Sequence, residues 1–182
     1  MALRATVHRA DLTVSDLDRG VYTQHVLTLA RHPSETEERM MVRLLAFAMH
    51  ADDALVFGRG LSTEDEADLW QRDPTGVIVR WIDVGLPDER EIRKACGRAR
   101  DVVVLAYGAR RVEAWWADNA DALSRLSNLS VYTLAATETE AVQSLVARSM
   151  SLTCTIQDGH VWLANAGSTV EVKPVLRCGA RA

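Results

Sequence analysis

Few cysteines, almost no lysine and no long apolar run mark this chain, and each shortage removes a class of reading. Cys96, Cys154 and Cys178 are odd in number and widely spaced, so neither a disulfide framework nor a zinc knuckle is indicated. No run approaches the roughly 18 apolar residues of a membrane span. The opening Met1-Ala-Leu-Arg-Ala-Thr6 lacks the apolar core of a signal peptide. A cytoplasmic protein without membrane contact is therefore expected. Lys94 and Lys173 are the only lysines, so positive charge rests on arginine, whose planar fork suits phosphate and carboxylate. Genomic base composition is the simpler source of that bias. A net charge of −4 argues against a protein that coats a duplex through a basic surface. It leaves room for a nuclease, which needs only local cations beside its carboxylates.

What is present fits one domain with a real core: 182 residues, 48% apolar and 25% charged. No internal repeat, low-complexity run or linker divides it. Residues 3–14 and 21–30 alternate apolar and polar and predict a long opening hairpin. His8, His25 and His32 have no metal-ligand spacing. Ser34 and Glu37 form a capping-box pattern for a first helix whose core stripe is Met41, Leu44, Leu45 and Ala48. Glu38 sits about 60° from Met41 on that helix, and could face a site or simply favour the helix N-terminus. A short strand is expected at 54–57 and a brief one from Asp68 to Trp70. The acidic run Glu64-Asp65-Glu66 should be exposed.

Residues 77–84 give the clearest strand. Val77, Val79, Trp81 and Asp83 share one face, so Asp83 ends an otherwise apolar row, where an ionised carboxylate is costly without a cation or donors. Asp83 is thus either a site residue or a strand-end cap. Asp88 and Glu91 form a second capping box, opening a helix with Ile92, Ala95, Cys96 and Ala99 as its stripe. On that wheel Lys94 lies about 150° from the stripe's centre, with Arg90 and Arg93 as competing cations. A buried strand at 102–106, a strand at 112–116, a short helix at 117–125, a strand at 129–134 and a helix at 138–148 follow. Asp158-Gly159 predicts a tight hairpin between 152–157 and 160–164, with an edge strand at 170–175. The domain is read as 1–176, with 177–182 a disordered tail.

The strings His32-Pro-Ser-Glu-Thr-Glu-Glu-Arg-Met-Met41, Arg43-Leu-Leu-Ala46, Gly60-Leu-Ser-Thr-Glu-Asp-Glu66, Leu86-Pro-Asp-Glu-Arg90, Lys94-Ala-Cys96, Asn128-Leu-Ser-Val131 and Thr155-Ile-Gln-Asp-Gly159 resemble the YaeQ family of bacterial proteins from the N-terminus to about residue 175. That resemblance implies an α/β domain with a central mixed β-sheet flanked by helices, a variant of the PD-(D/E)XK nuclease fold. It implies Asp68 as the first acidic residue, with Ala67 where the name-giving proline would stand, and Asp83 as the second. Gly85 stands where the superfamily lysine would follow, and the family places that lysine on the helix, at Lys94. Glu38 matches the first-helix glutamate, and Gln157 is implied to lie nearby.

Two readings of different class follow. The first is phosphodiester hydrolysis of DNA or RNA by a monomer, with Asp68, Asp83 and Glu38 holding Mg²⁺ or Mn²⁺. Lys94 would assist the attacking water, with Gln157 and Arg93 as substrate contacts. The second is an inactive nuclease-fold protein that binds a nucleic acid or protein partner; a plain structural module needs only the composition.

Overall fold

The computed structural model describes residues 5–59 and 65–180. Leu61 to Glu64 of the acidic segment and the last two residues of the expected tail lie outside them. The alternating opening forms strands β1 (Thr6–Asp16) and β2 (Val21–Arg31), paired antiparallel with Thr6 opposite Arg31. The rest of the order is α1 (Glu37–Met49), β3 (Leu55–Phe57), β4 (Leu69–Arg72), β5 (Ile78–Val84), α2 (Glu89–Cys96), β6 (Ala99–Ala106), α3 (Arg110–Leu123), β7 (Leu129–Thr133), α4 (Ala136–Gln143), β8 (Ser149–Gln157), β9 (His160–Ala164), β10 (Thr169–Val172) and β11 (Val175–Cys178).

The α/β class and the mixed strand directions are as expected, but the strands divide into two sheets rather than one. The first runs β10-β9-β8-β1-β2 and the second β11-β7-β6-β5-β4-β3. Each is mixed: β1 and β8 are parallel in the first, β5, β6 and β7 in the second, and the other pairs antiparallel. Helix α1 explains the division. Every residue from Met40 to Ala48 is buried, because α1 lies between the inner faces of both sheets. One core joins it to Leu12 and Leu152 of the first sheet and to Ile82 and Leu105 of the second. A single core stripe describes a helix covered on one side; here residues all round find partners. On the far side of the second sheet, Ile92, Ala95 and Leu123 of α2 and α3 pack on Trp81, Val102, Val104 and Val131.

Three further expectations change. Residues 112–116 are helix, not strand. Val112 is buried on α3 and Trp115 donates its indole N–H to the Pro87 carbonyl at 2.8 Å, so packing overrides the strand preference of aromatic and β-branched residues. Helix α1 is capped by Thr36, whose hydroxyl accepts from the Arg39 N–H at 3.1 Å, rather than by Ser34. Arg177 and Cys178 belong to β11, and the Ser130 hydroxyl donates to the Ala180 carbonyl at 3.0 Å, so sheet pairing holds what was expected as a disordered tail. The two other local signatures are realised: Asp88 and Glu91 form their reciprocal cap, and Asp158 and Gly159 both take positive φ (53° and 74°), as a two-residue hairpin turn of the primed kind requires.

Candidate acidic cleft

Antiparallel pairing of Leu69 with Ile82 carries Asp68, just before β4, alongside Asp83 near the end of β5. The Asp68 N–H donates to Asp83 Oδ1 at 3.3 Å, and the Val84 N–H donates to Asp68 Oδ2 at 2.8 Å. The Trp81 indole, on the same face of the strand as Asp83, donates to Asp83 Oδ2 at 2.8 Å. Both carboxylates line a cleft of about 260 Å³ with Arg39, Glu66, Trp81, Leu86 and Glu91.

The electrostatics follow from burial. Desolvation pushes Asp83 up to about 7, and the neighbouring Asp68 and Glu91 charges add to it, while the Trp81 donor works against the rise. Burial also raises Asp68, although Arg39 opposes it. Arg39 donates from Nη2 to Asp68 Oδ1 and from Nη1 to Glu35 Oε1 at 3.0 Å. Burial disfavours its charge, yet Asp68 and Glu35 hold its pKa above the ordinary value. Glu35 in turn accepts from Arg43 Nε and Nη2, both at 2.8 Å. Arg43 is only 1% exposed. A chain of alternating charge, Arg43–Glu35–Arg39–Asp68, thus runs from the core to the cleft.

The expected site residues separate in the fold. Asp68 and Asp83 converge on one cleft. Glu38 does not join them: its carboxylate accepts from Thr139 Oγ1 of α4 at 2.6 Å, because its phase on α1 faces the neighbouring helix. Lys94 is absent from the cleft wall, and its ammonium lies 2.9 Å from Asp65 Oδ1, shared with Arg98 at 3.0 Å. Burial of Ile92 and Ala95 against the sheet turns Lys94 to the other side of α2, as the wheel implies. Arg93 is exposed and pairs with Glu89 at 2.6 Å on a separate groove with Asp88, Arg90 and Asn119. Gln157 ends β8 in the other sheet, exposed and paired with His160 across the hairpin, and is likewise no part of the cleft.

At Gly85, where the resemblance would put the superfamily's strand lysine, the backbone favours glycine. A Cβ there would meet nothing within 4 Å, but φ is +106°, a conformation side-chain-bearing residues rarely take. The backbone, not space, selects glycine. Sequence reading missed Arg39 and Arg43 altogether. Their signal was available only as two arginines four residues apart with Glu35 four before the first, a spacing shared by ordinary surface ion pairs.

Compared with known proteins, residues 1–174 match the family model described as YaeQ protein. The chain belongs to the YaeQ family. The uncharacterized protein YaeQ of Salmonella typhi is 46% identical over 173 residues, covering 95% of this chain and 96% of that protein. Its Escherichia coli K12 counterpart is 45% identical over 172 residues, covering 94% and 95%. Among solved structures, the YaeQ protein from Xanthomonas axonopodis pv. citri superposes with a TM-score of 0.94 at 52% identity, covering 97% of this chain and 99% of that one. The YaeQ protein from Pseudomonas syringae gives 0.92 at 35% identity, covering 98% of each. The two-sheet architecture is therefore that of the family.

The donor set suits a hard divalent cation. Among the described residues no three His, Cys, Asp or Glu side chains gather at one point. Mg²⁺ commonly takes one or two carboxylates and keeps water in its other positions. Each Asp83 oxygen accepts one N–H, which leaves lone pairs for a cation.

Proposed function

We propose that the chain is a divalent-metal-dependent phosphodiester hydrolase acting on nucleic acid. The observation that carries this reading is the convergence of Asp68 and Asp83 in one cleft, with Asp83 held near 7 by burial and by its acidic neighbours. A divalent cation held by the two carboxyls would favour the ionised form of both. Asp68 and Asp83 would hold Mg²⁺ or Mn²⁺, which when bound polarises a phosphoryl oxygen and makes bound water more acidic. Arg39, on the same wall, presents a guanidinium suited to phosphate oxygens. It takes the cationic role that the resemblance gives to Lys94. Trp81 fixes the Asp83 carboxylate, and Leu86 and Pro87 form apolar wall.

One observation favours the alternative, a nuclease-fold protein that binds a partner without cleaving it: Arg39 already neutralises Asp68. Metal titration and cleavage decide between them. Purified protein incubated with DNA and with RNA, in Mg²⁺ and in Mn²⁺, should cleave one of them, and Asp83→Ala and Arg39→Ala should each abolish cleavage. Cleavage that survives Asp83→Ala belongs to another site, and the absence of any cation binding would leave the binding reading.

A further inference from the structure

The two sheets end in four edge strands, β10 and β2 in the first and β11 and β3 in the second, and three of these are blunted. Strands β3 and β10 have three and four residues. Strand β11, also of four, shifts its register between Leu176 and Cys178. Short edges and bulges keep a sheet from pairing with another chain. Strand β2 has neither. Its eleven residues pair with β1 in an unbroken register. It holds no proline or lysine, and its one arginine, Arg31, is its last residue.

The direction of the β2 backbone groups follows from its neighbour. The Arg9 N–H donates to the Arg148 carbonyl at 3.0 Å, and the Leu17 N–H, just past β1, to the Ile156 carbonyl at 2.8 Å. Odd-numbered residues of β1 therefore address β8 and even-numbered ones address β2, since bonding direction alternates along a strand. Opposite those even-numbered residues stand Val21, Thr23, His25, Leu27 and Leu29. The intervening Tyr22, Gln24, Val26, Thr28 and Ala30 turn their N–H and C=O groups to the open edge. Among the described residues one of these groups is bonded, the Ala30 carbonyl, which accepts from Arg43 Nη2 at 3.4 Å. The same five side chains lie on the exposed face of the sheet, where Tyr22 is 67% and Val26 80% exposed. Val7 of β1, opposite Ala30, is exposed there too.

We propose that β2 pairs antiparallel with β2 of a second copy of this chain, about a twofold axis at Val26, joining the two first sheets into one. Val26 is the middle residue of β2, so this register uses the whole strand. It sets Val26 against its own copy, Gln24 against the partner's Thr28 and Tyr22 against the partner's Ala30. Like chemistry meets like, and the largest side chain meets the smallest, with the partner's exposed Val7 next in the row. Moving the axis one residue either way keeps the faces matched but sets Val26 against Gln24 or against Thr28. No two charged residues of β2 stand opposite each other, where like charges would oppose pairing. A strand of another protein would bond the same backbone groups; the self-matching side chains are what favour a second copy. An interface of about 20–30 residues a side buries about 800 Å² per partner, so the eleven residues of β2 cover roughly a third to a half of that. Such an area makes a dimer that forms and parts with concentration, and the closed twofold stops growth at two copies.

The test reads the oligomeric state of the full-length chain. Sedimentation equilibrium of wild type should give the monomer mass at low micromolar concentration, rising towards twice that mass near millimolar. Val26→Lys sets two ammonium groups across the axis and should stay monomeric throughout. Because that side chain points to solvent, its urea midpoint should not move. Cross-linking reads the register. Opposed residues that bond each other have Cα atoms about 5.5 Å apart, within the roughly 4.4–6.8 Å that a disulfide spans. Val26→Cys should therefore form a covalent dimer under mild oxidation that leaves wild type unlinked. Gln24→Cys alone should not, because its own copy lies about 13 Å along the strand, but mixed with Thr28→Cys it should give the mixed dimer. A wild type that stays monomeric at the highest concentration overturns the proposal. So does a dimer that survives Val26→Lys, growth beyond two copies, or Gln24→Cys cross-linking alone as fast as Val26→Cys.

Discussion

Replacing Asp83 by Asn should stabilise the metal-free protein at neutral and higher pH while removing its response to metal. The Asp83 carboxyl rises from an ordinary 3.8 to about 7 in the fold. At 1.36 kcal/mol per pKa unit, ionising it costs up to about 4 kcal/mol more in the native state than in the unfolded chain. Because the folded pKa is the raised one, the native state holds the proton more tightly. The stability this carboxyl contributes is therefore full below about pH 4 and is lost as pH rises to about 7. An amide carries no charge to desolvate, but its one oxygen faces two donors, the Trp81 indole and the Asp68 N–H. Losing one such bond gives back about 1 kcal/mol. The net gain expected for Asp83→Asn at about pH 8 is roughly 1–3 kcal/mol, and the stability difference from wild type should grow in the variant's favour as pH rises from about 4 to 7, where only the wild type loses the Asp83 contribution. Urea denaturation in chelator at two pH values measures both. With Mg²⁺ or Mn²⁺ at about a hundred times its Kd, wild type should gain about 2.7 kcal/mol and the variant nothing. An Asp83→Asn protein less stable than wild type at pH 8, or one with the same pH slope, would refute the electrostatic account of the cleft.

Three other outcomes follow from the same geometry. Glu35→Gln leaves Arg43 and Arg39 without their shared carboxylate and should cost about 3–5 kcal/mol in urea denaturation, whereas Glu35→Leu with Arg43→Leu should recover most of it. Acid should destabilise the fold through His50: its pKa falls from 6.5 to about 3, so the unfolded chain takes the proton first. Stability is lost as pH falls from about 6.5 towards 3, by up to about 5 kcal/mol, a loss that His50→Gln should reduce. Lys94→Ala should change stability by less than about 1 kcal/mol, since Asp65 is 72% exposed, and should spare any cleavage that Arg39→Ala abolishes; loss of cleavage in Lys94→Ala alone would return the cationic role to the lysine.

Features that depend on neighbours in the chain were legible in advance. Asp158-Gly159 and the Asp88–Glu91 box appear where their local chemistry requires, and the alternation of residues 77–84 correctly put Asp83 on the face of Trp81. The wheel of α2 turns Lys94 away from the sheet, as the structure does, while the resemblance points the other way. Local signals failed where an element's environment came from distant chain. Val112 to Trp116 suits a strand by residue type and is helical on α3, where Trp115 and Trp116 pack against the core on the second sheet's outer face. Arg43 reads as the polar interruption of an amphipathic helix, yet it is buried with Glu35 because two sheets close over α1. A sequence determines its caps, turns and face periodicities, since these involve partners a few residues apart. The pairing of Asp68 with Asp83 and the arginine that reaches them were decided only by tertiary structure, because each is made by segments that burial of a shared core brings together.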